Sequence, residues 1–291
     1  VSPHRYTSPD EDSARWDGFE FRAGDIVVST RSKHGTTWTQ TILLLLVHQT
    51  PDFAPLGELS PWIDHLVEPV DAVLARVAAQ EHRRVVKTHT PLDGIPVVPQ
   101  ATYVVAARHP LDAAVSLYHQ GTNLDRQRLA ELTGTPVESW TPPQRTLEEW
   151  LSRWIDAGAD PVADLDSLPG VMWHLTDAWS RRDDANVVLV HFDDLLDDLA
   201  GQMRRLAARL GIEVPADRWP SLVQAATLPA MRARADSLAP DTMGVLKDRQ
   251  AFFRQGTSGA GAQIAGPEGL RRYHQRAAAL ARPDLLEWLH R

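Results

Sequence analysis

The sequence predicts an α/β domain built on a mostly parallel sheet. Three observations carry this reading: four short runs rich in β-branched residues, helical stretches between them, and polar loops directly after the runs. Asp25-Ile-Val-Val-Ser29 follows Gly24 and reads as a buried strand. Thr36 to Gln49 then reads as a helix. Arg84-Val-Val-Lys87 is a second strand, cut off by Pro91, and Thr102 to Ala107 is a third. Pro110 suits the first turn of a helix that runs to about Gln120. Asn186 to His191 is the fourth strand. Asp193 to Leu210 has the spacing of one long amphipathic helix, closed by Gly211 and Pro215. Strands separated by helices need crossovers, and crossovers make neighbouring strands parallel.

The 291 residues can bury a sizeable core without covalent staples. No repeat or linker divides them, so one domain over residues 1–291 is expected. A net charge of -8 argues against a nucleic-acid coat protein and a polybasic membrane binder. It leaves room for a local anion site. Cysteine is absent, which excludes disulfides, thiolate metal sites and thiol nucleophiles. No other metal-ligand spacing stands out, so no metal is expected. The cysteine-free composition suits a cytoplasmic setting. The first 20 residues carry no apolar signal core, and the longest apolar run, Ile42 to Val47, is too short to span a bilayer.

Two stretches interrupt the strand–helix rhythm. Thr50 to Ala79 holds Phe53, Trp62 and His65, and Thr122 to Leu168 holds Trp140, Trp150 and Trp154 around the Pro142-Pro143 break. They are too long for simple connectors and read as elaborations over a pocket. Surface helices packed by tryptophan would look the same.

Three constellations carry chemistry. Ser29 to Trp38 follows a strand and opens a helix, as an anion loop must. Gly35 allows close backbone approach, Thr36 and Thr37 add hydroxyls, and Lys33 adds a cation. Lys33 precedes Gly35 by two residues, so this is not a Walker loop and it suits a single phosphate. A structural helix cap is the competing reading. In the second, Lys87 and His89 stand at a strand's C-terminal end, where open α/β sheets bind ligands. A histidine there can take a proton from an acceptor hydroxyl. In the third, Arg108 leaves a strand, with Asp112 and Ser116 four apart on the next helix. Arg108 suits a phosphate, and a structural Arg–Asp pair is the alternative.

The strings Lys33-His34-Gly35-Thr36-Thr37-Trp38, Lys87-Thr-His89-Thr-Pro91 and Arg108…Ser116 resemble, in order, motifs of the cytosolic-type sulfotransferases. Bacterial members are the nearer likeness, because Pro267 to Tyr273 resembles a helix found in many of them. The resemblance implies a P-loop-like, three-layer α/β fold with helical elaborations over the acceptor site. It also implies a donor, 3′-phosphoadenosine 5′-phosphosulfate (PAPS), with adenosine 3′,5′-bisphosphate as product and no metal. By resemblance, Lys33, His34, Gly35, Thr36 and Thr37 hold the 5′-phosphosulfate, and Trp38, Phe192 and Thr227 surround the adenine. Arg108, Ser116, Arg254, Gln255 and Gly256 hold the 3′-phosphate. His89 is the implied base, Lys33 assists the leaving nucleotide, and Lys87 stabilises the sulfuryl oxygens.

Departures are local. Phe192 replaces a tyrosine, Leu228 an aromatic residue, and Gln255 a lysine, while the dimerisation motif of animal members is not recognisable. The expected partner is a small-molecule acceptor bearing a hydroxyl or amine, aromatic or lipid-like if the tryptophans line the pocket. No nucleic acid is expected, and the oligomeric state stays open. An ATP-dependent small-molecule kinase, a catalytically silent nucleotide-binding protein and a scaffold without a ligand are the alternatives. Arg31, Lys33, Lys87, Arg108 and Arg254 are expected to converge on one anion pocket within an acidic chain.

Overall fold

The computed structural model describes residues 3–140, 145–254 and 256–291, with Trp140 described by its backbone alone. The Pro142-Pro143 break, the Trp140 side chain and Gln255 lie outside the described residues. Strands β1 (Ile26–Ser29), β2 (Val85–Thr88), β3 (Thr102–Ala107) and β4 (Val187–His191) form one sheet in the order β2-β1-β3-β4. Every pairing is parallel, with Ile26 opposite Val85 and Thr102, and Tyr103 opposite Val187. The chain moves from β1 to β2 on one side, then crosses to β3 on the other. That reversal opens a crevice at the C-terminal ends of β1 and β3, where such sheets bind ligands.

Alternation along the strands decides the layers. Ile26, Val28, Val85, Val104, Val188 and Val190 face a core filled by α1 (Thr36–His48) and by a later helix that supplies Met203, Leu206 and Ala207. Val27, Val86, Tyr103, Val105 and Val187 face the opposite core of Trp16, Phe19, Ile63 and Val77. α1 is buried from Thr36 through Leu46, as expected of a helix apolar on all sides. α2 (Pro110–Asn123), α3 (Leu147–Asp156), α4 (Leu168–Ser180) and the C-terminal helices enclose a further cluster around Leu111, Leu151, Met172 and Tyr273. The three-layer α/β architecture agrees with the sequence reading.

One predicted element divides. Asp193 to Leu210 is two helices, α5 (Phe192–Asp197) and α6 (Leu199–Arg209), with Asp198 between them at φ -144. The Asp198 carboxylate accepts the Gly201 N–H at 2.9 Å, capping α6. The amphipathic spacing continues through the break, so periodicity alone conceals it. The C-terminal α7 (Ala260–Leu280) kinks at Gly266 before Pro267, and α8 (Pro283–Leu289) follows.

The two elaborations carry short helices, including Val70–Ala78 and Arg126–Thr133. Trp62 lies beside Lys87 in an isolated parallel bridge at the β2 edge. Trp154 is a packing residue whose Nε1–H donates to the Asp166 carbonyl, whereas Trp62 and Trp150 reach the cavity described next.

Candidate active site

The crevice opens into a cavity of about 1480 Å³. Ligand pockets usually enclose roughly 300–1,000 Å³, so there is room for a nucleotide and a second molecule. The loop after β1, the end of β2, the turn after β3, the first turn of α5, and Gln250, Phe252, Phe253, Arg254 and Gly256 all reach its wall.

In the β1 loop, Lys33 has φ 66 and Gly35 φ 100. Left-handed residues in such a turn give the backbone the shape of an anion-binding nest, although the His34 N–H is taken by the Arg31 carbonyl. A Cβ at Gly35 would crowd Phe192 at 3.1 Å, and φ 100 is strained for any residue but glycine. Gly35 is the N-cap of α1 and, lacking a side chain, leaves the first N–H groups of the helix without a side-chain acceptor. The buried Thr36 hydroxyl has no partner among the described residues. The Lys33 ammonium stands 4.2 Å over the Phe252 ring and donates to Gln120 Oε1. Burial, then Lys87, Arg108 and Arg254, pushes its pKa down to about 7.

At the end of β2, Lys87 and His89 alternate with Thr88 and Thr90 and share one face of the extended chain. Lys87 Nζ lies 3.7 Å from the centre of Trp62, and burial lowers its pKa to about 7 against the pull of Glu11 and Asp64. His89 bonds through Nδ1 to the Thr30 carbonyl. A carbonyl can only accept, so Nδ1 carries the proton and Nε2 keeps its lone pair. Burial, then Lys87 and Arg31, holds His89 well below the usual histidine pKa. The ring is therefore neutral, with its Nε2 lone pair free.

Arg108 crosses from β3. Its Nη2 donates to the Thr257 carbonyl at 2.6 Å, its guanidinium lies 4.4 Å over Phe192, and its buried Nε has no partner among the described residues. Ser116, Arg254 and Gly256 share the cavity wall with it. Gly256 has φ 62, and a Cβ there would strike Leu228 at 2.1 Å. Asp112 does not face the anion site. It accepts the Gly259 and Gly261 N–H groups at 2.8 and 2.7 Å, anchoring the chain just after Gly256.

Three expectations need correction. His34 is buried behind its loop, where Nδ1 accepts the Arg108 N–H at 3.1 Å, and it is not on the cavity wall. Thr227 is not on the wall either; its hydroxyl donates to Gln224 and accepts from Ala230, capping a helix, while Leu228 lines the cavity. Arg31 is no free cation. Its guanidinium meets Glu11 at 3.3 Å, Asp166 at 2.9 Å and the His89 carbonyl. Burial works against its charge, but Asp166 and Glu11 more than offset that, and its pKa is raised. Trp38 does reach the wall, although its Nε1–H is held by the Ala226 carbonyl and its ring packs edge-on against Phe192.

Sequence reasoning missed Asp64, Gln120 and Phe252. Asp64 carries the weak signal of an acid inside the apolar string Trp62-Ile63-Asp64. Nor does sequence reasoning register that the chain has only three lysines, Lys33, Lys87 and Lys247, two of which stand in this cavity.

The sulfotransferase domain model matches residues 23–262. The chain belongs to the sulfotransferase family. It is 39% identical to a glycolipid sulfotransferase of Mycobacterium bovis (strain BCG / Pasteur 1173P2), over 98% of this chain and 93% of that protein. A glycolipid sulfotransferase of Mycobacterium tuberculosis (strain ATCC 25177 / H37Ra) shows the same identity and coverage. Among solved structures, mouse sulfotransferase SULT7A1 complexed with PAP superposes with a TM-score of 0.69 at 18% identity, covering 95% of this chain and 92% of that one. Retinol dehydratase in complex with androsterone and inactive cofactor PAP gives 0.69 at 19% identity, covering 94% and 86%. These two likenesses establish the fold of this sulfotransferase. Among the described residues no helix is long and apolar enough to cross a membrane.

Proposed function

We propose that this sulfotransferase, acting as one domain over residues 1–291, moves the sulfuryl group of PAPS to a hydroxyl or amine of a glycolipid-like acceptor. One observation carries the reading: a neutral histidine and four basic side chains that form no ion pair among the described residues, Lys33, Lys87, Arg108 and Arg254, share one cavity. The residues suit the donor, since the uncapped nest, the unpartnered Thr36 hydroxyl and the unpartnered Arg108 Nε offer donors to phosphate oxygens. Gly35, Thr36, Thr37 and Lys33 would hold the 5′ end; Arg108, Ser116, Arg254 and Gly256 the 3′-phosphate; Trp38 and Phe192 the base. The donor supplies the sulfuryl group and leaves as adenosine 3′,5′-bisphosphate.

His89 Nε2 takes the acceptor's proton as the acceptor–sulfur bond forms. Lys33 neutralises the charge growing on the bridging oxygen as its bond to sulfur breaks, and Lys87 faces the sulfuryl oxygens. An anion bound beside the lysines offsets the positive field on His89 and raises its basicity as the donor arrives. The acceptor class rests on the 39%-identical relatives named as glycolipid sulfotransferases. It also rests on the apolar wall of Leu117, Leu124, Leu129, Trp150 and Leu246. A cytoplasmic setting rests on the cysteine-free composition alone.

Sulfur-labelled PAPS offered with glycolipids, phenols, sterols and free sugars tests the reading. Label should enter a glycolipid in the wild type and fall at least about 10²-fold in Lys33→Ala and His89→Ala. No transfer to any acceptor, with no thermal shift from saturating adenosine 3′,5′-bisphosphate, would overturn it.

A further inference from the structure

We propose that Asp64 is a positioning residue that sets the geometry of the Lys87–His89 pair from behind the β2 edge. This deepens the sulfotransfer reading and rests on it for the roles of Lys87 and His89. Asp64 is fully buried. Its Oδ2 accepts the Thr88 hydroxyl, the Thr90 hydroxyl at 2.7 Å and the Trp16 indole N–H at 3.1 Å. Its Oδ1 accepts the Trp62 indole N–H at 2.7 Å.

Three of the partners, Thr88, Thr90 and Trp62, adjoin a reacting group, and Trp16 ties the carboxylate to the core beneath. Thr88 and Thr90 flank His89 in an extended chain, so their side chains point away from the face that His89 presents to the cavity. Gripping both hydroxyls fixes the backbone that carries the imidazole. Trp62 is sandwiched: His65 stacks on it at 3.9 Å with planes 7° apart, and the Lys87 ammonium sits 3.7 Å from its centre. The His89 ring meets Trp62 edge-on at 4.5 Å. The Asp64–Trp62 hydrogen bond therefore holds the surface on which Lys87 rests and against which His89 leans. The Asp64 charge also favours the charged form of Lys87, which Arg31, Lys33, Asp10, Glu11, His65 and His89 face as well.

An indole N–H can only donate. Both oxygens of Asp64 meet one, so an asparagine, with its single oxygen, cannot serve both. Asp64→Asn should lower kcat at least about tenfold, because small misplacement of catalytic groups is costly. Affinity for adenosine 3′,5′-bisphosphate should stay within about twofold, since Asp64 is not on the cavity wall. The alkaline limb of the kcat–pH profile should move down by roughly half a unit or more, because a carboxylate that favours the Lys87 ammonium is gone. Thr90→Val keeps shape and charge, so it should lower kcat and leave that limb in place. The control is Asp25→Asn, which breaks a buried pair with Arg84 at the opposite end of these strands.

The inference is overturned if Asp64→Asn behaves like Asp25→Asn, with a lower Tm but wild-type kcat and pH profile. If Asp64→Asn does not fold, Thr90→Val and Trp62→Phe decide, and kcat within twofold of wild type in both overturns it. If the wild type transfers no sulfuryl group, the sulfotransfer reading has failed. The positioning claim is then read from the lysines after ¹³C reductive methylation: a Lys87 signal whose titration is unmoved by Asp64→Asn overturns it, and a downward shift supports it.

Discussion

Raising the pH from 7 to 8 should weaken binding of adenosine 3′,5′-bisphosphate and make binding take up protons. Lys33 and Lys87 have pKa values pushed down to about 7 in the free site, chiefly by burial. At pH 8 each is about 90% neutral. A bound anion favours the ammonium form and returns the pKa toward the ordinary lysine value, about 10.4. Lys33, in the anion nest, should then take up about 0.9 proton, and Lys87 up to the same again. Uptake at pH 8 should thus lie between about 1 and 2 protons, since phosphate groups with a second pKa near 6 contribute almost none. The affinity follows by linkage: Kd should rise about 5-fold between pH 7 and pH 8 if one lysine responds, and about 30-fold if both do. Isothermal titration calorimetry at pH 8, in buffers of different ionisation enthalpy, counts the protons. Lys33→Ala should remove close to one of them. No net uptake at pH 8, with a Kd unchanged from pH 7, would refute the claim that the site holds its cations partly neutral until an anion arrives.

His89→Asn retains an N–H for the Thr30 carbonyl but no basic nitrogen; kcat should fall at least about 10²-fold while bisphosphate affinity stays within about twofold, by steady-state kinetics and calorimetry. Arg108→Ala removes a charged donor with an unpartnered Nε, and binding should weaken by about 1.5–3 kcal/mol, roughly 10- to 150-fold. The same change should matter far less for adenosine 5′-phosphate, which lacks the 3′-phosphate. Gly261→Ala would place a Cβ 2.4 Å from the Leu111 backbone, so Tm should drop by several degrees, matching overpacking of about 1–3 kcal/mol.

Much of this site is legible in local sequence. Lys33 to Thr37 sit between a strand and a helix, and Lys87 and His89 precede a proline, so short-range rules place them at strand ends. Arg108 and Ser116 follow the same logic. The errors share a cause. Thr227 and His34 occupy the expected positions in the chain, but their hydrogen bonds go to a helix cap and to the Arg108 backbone. Arg31 reads as a site cation until Glu11 and Asp166, 20 and 135 residues away, neutralise it. Asp198 hides in an unbroken amphipathic pattern because its effect is a single side-chain cap.

By itself, the sequence determined the strand–helix alternation and the parallel sheet, and it placed the Lys33–Thr37 loop and His89 at strand ends. Each depends on periodicity or on turn chemistry within about ten residues, and such forces act before distant segments meet. The tertiary structure alone decided which basic side chains form no ion pair among the described residues and which nitrogen of His89 is free. It also decided that Asp64 braces Thr88, Thr90 and Trp62 behind the β2 edge. The physical reason is that charge state and hydrogen-bond direction depend on burial and on partners brought from far along the chain. A net charge of -8 records none of this, because the acids that matter are spent on Arg31 and on the Asp64 brace while the cavity keeps its cations.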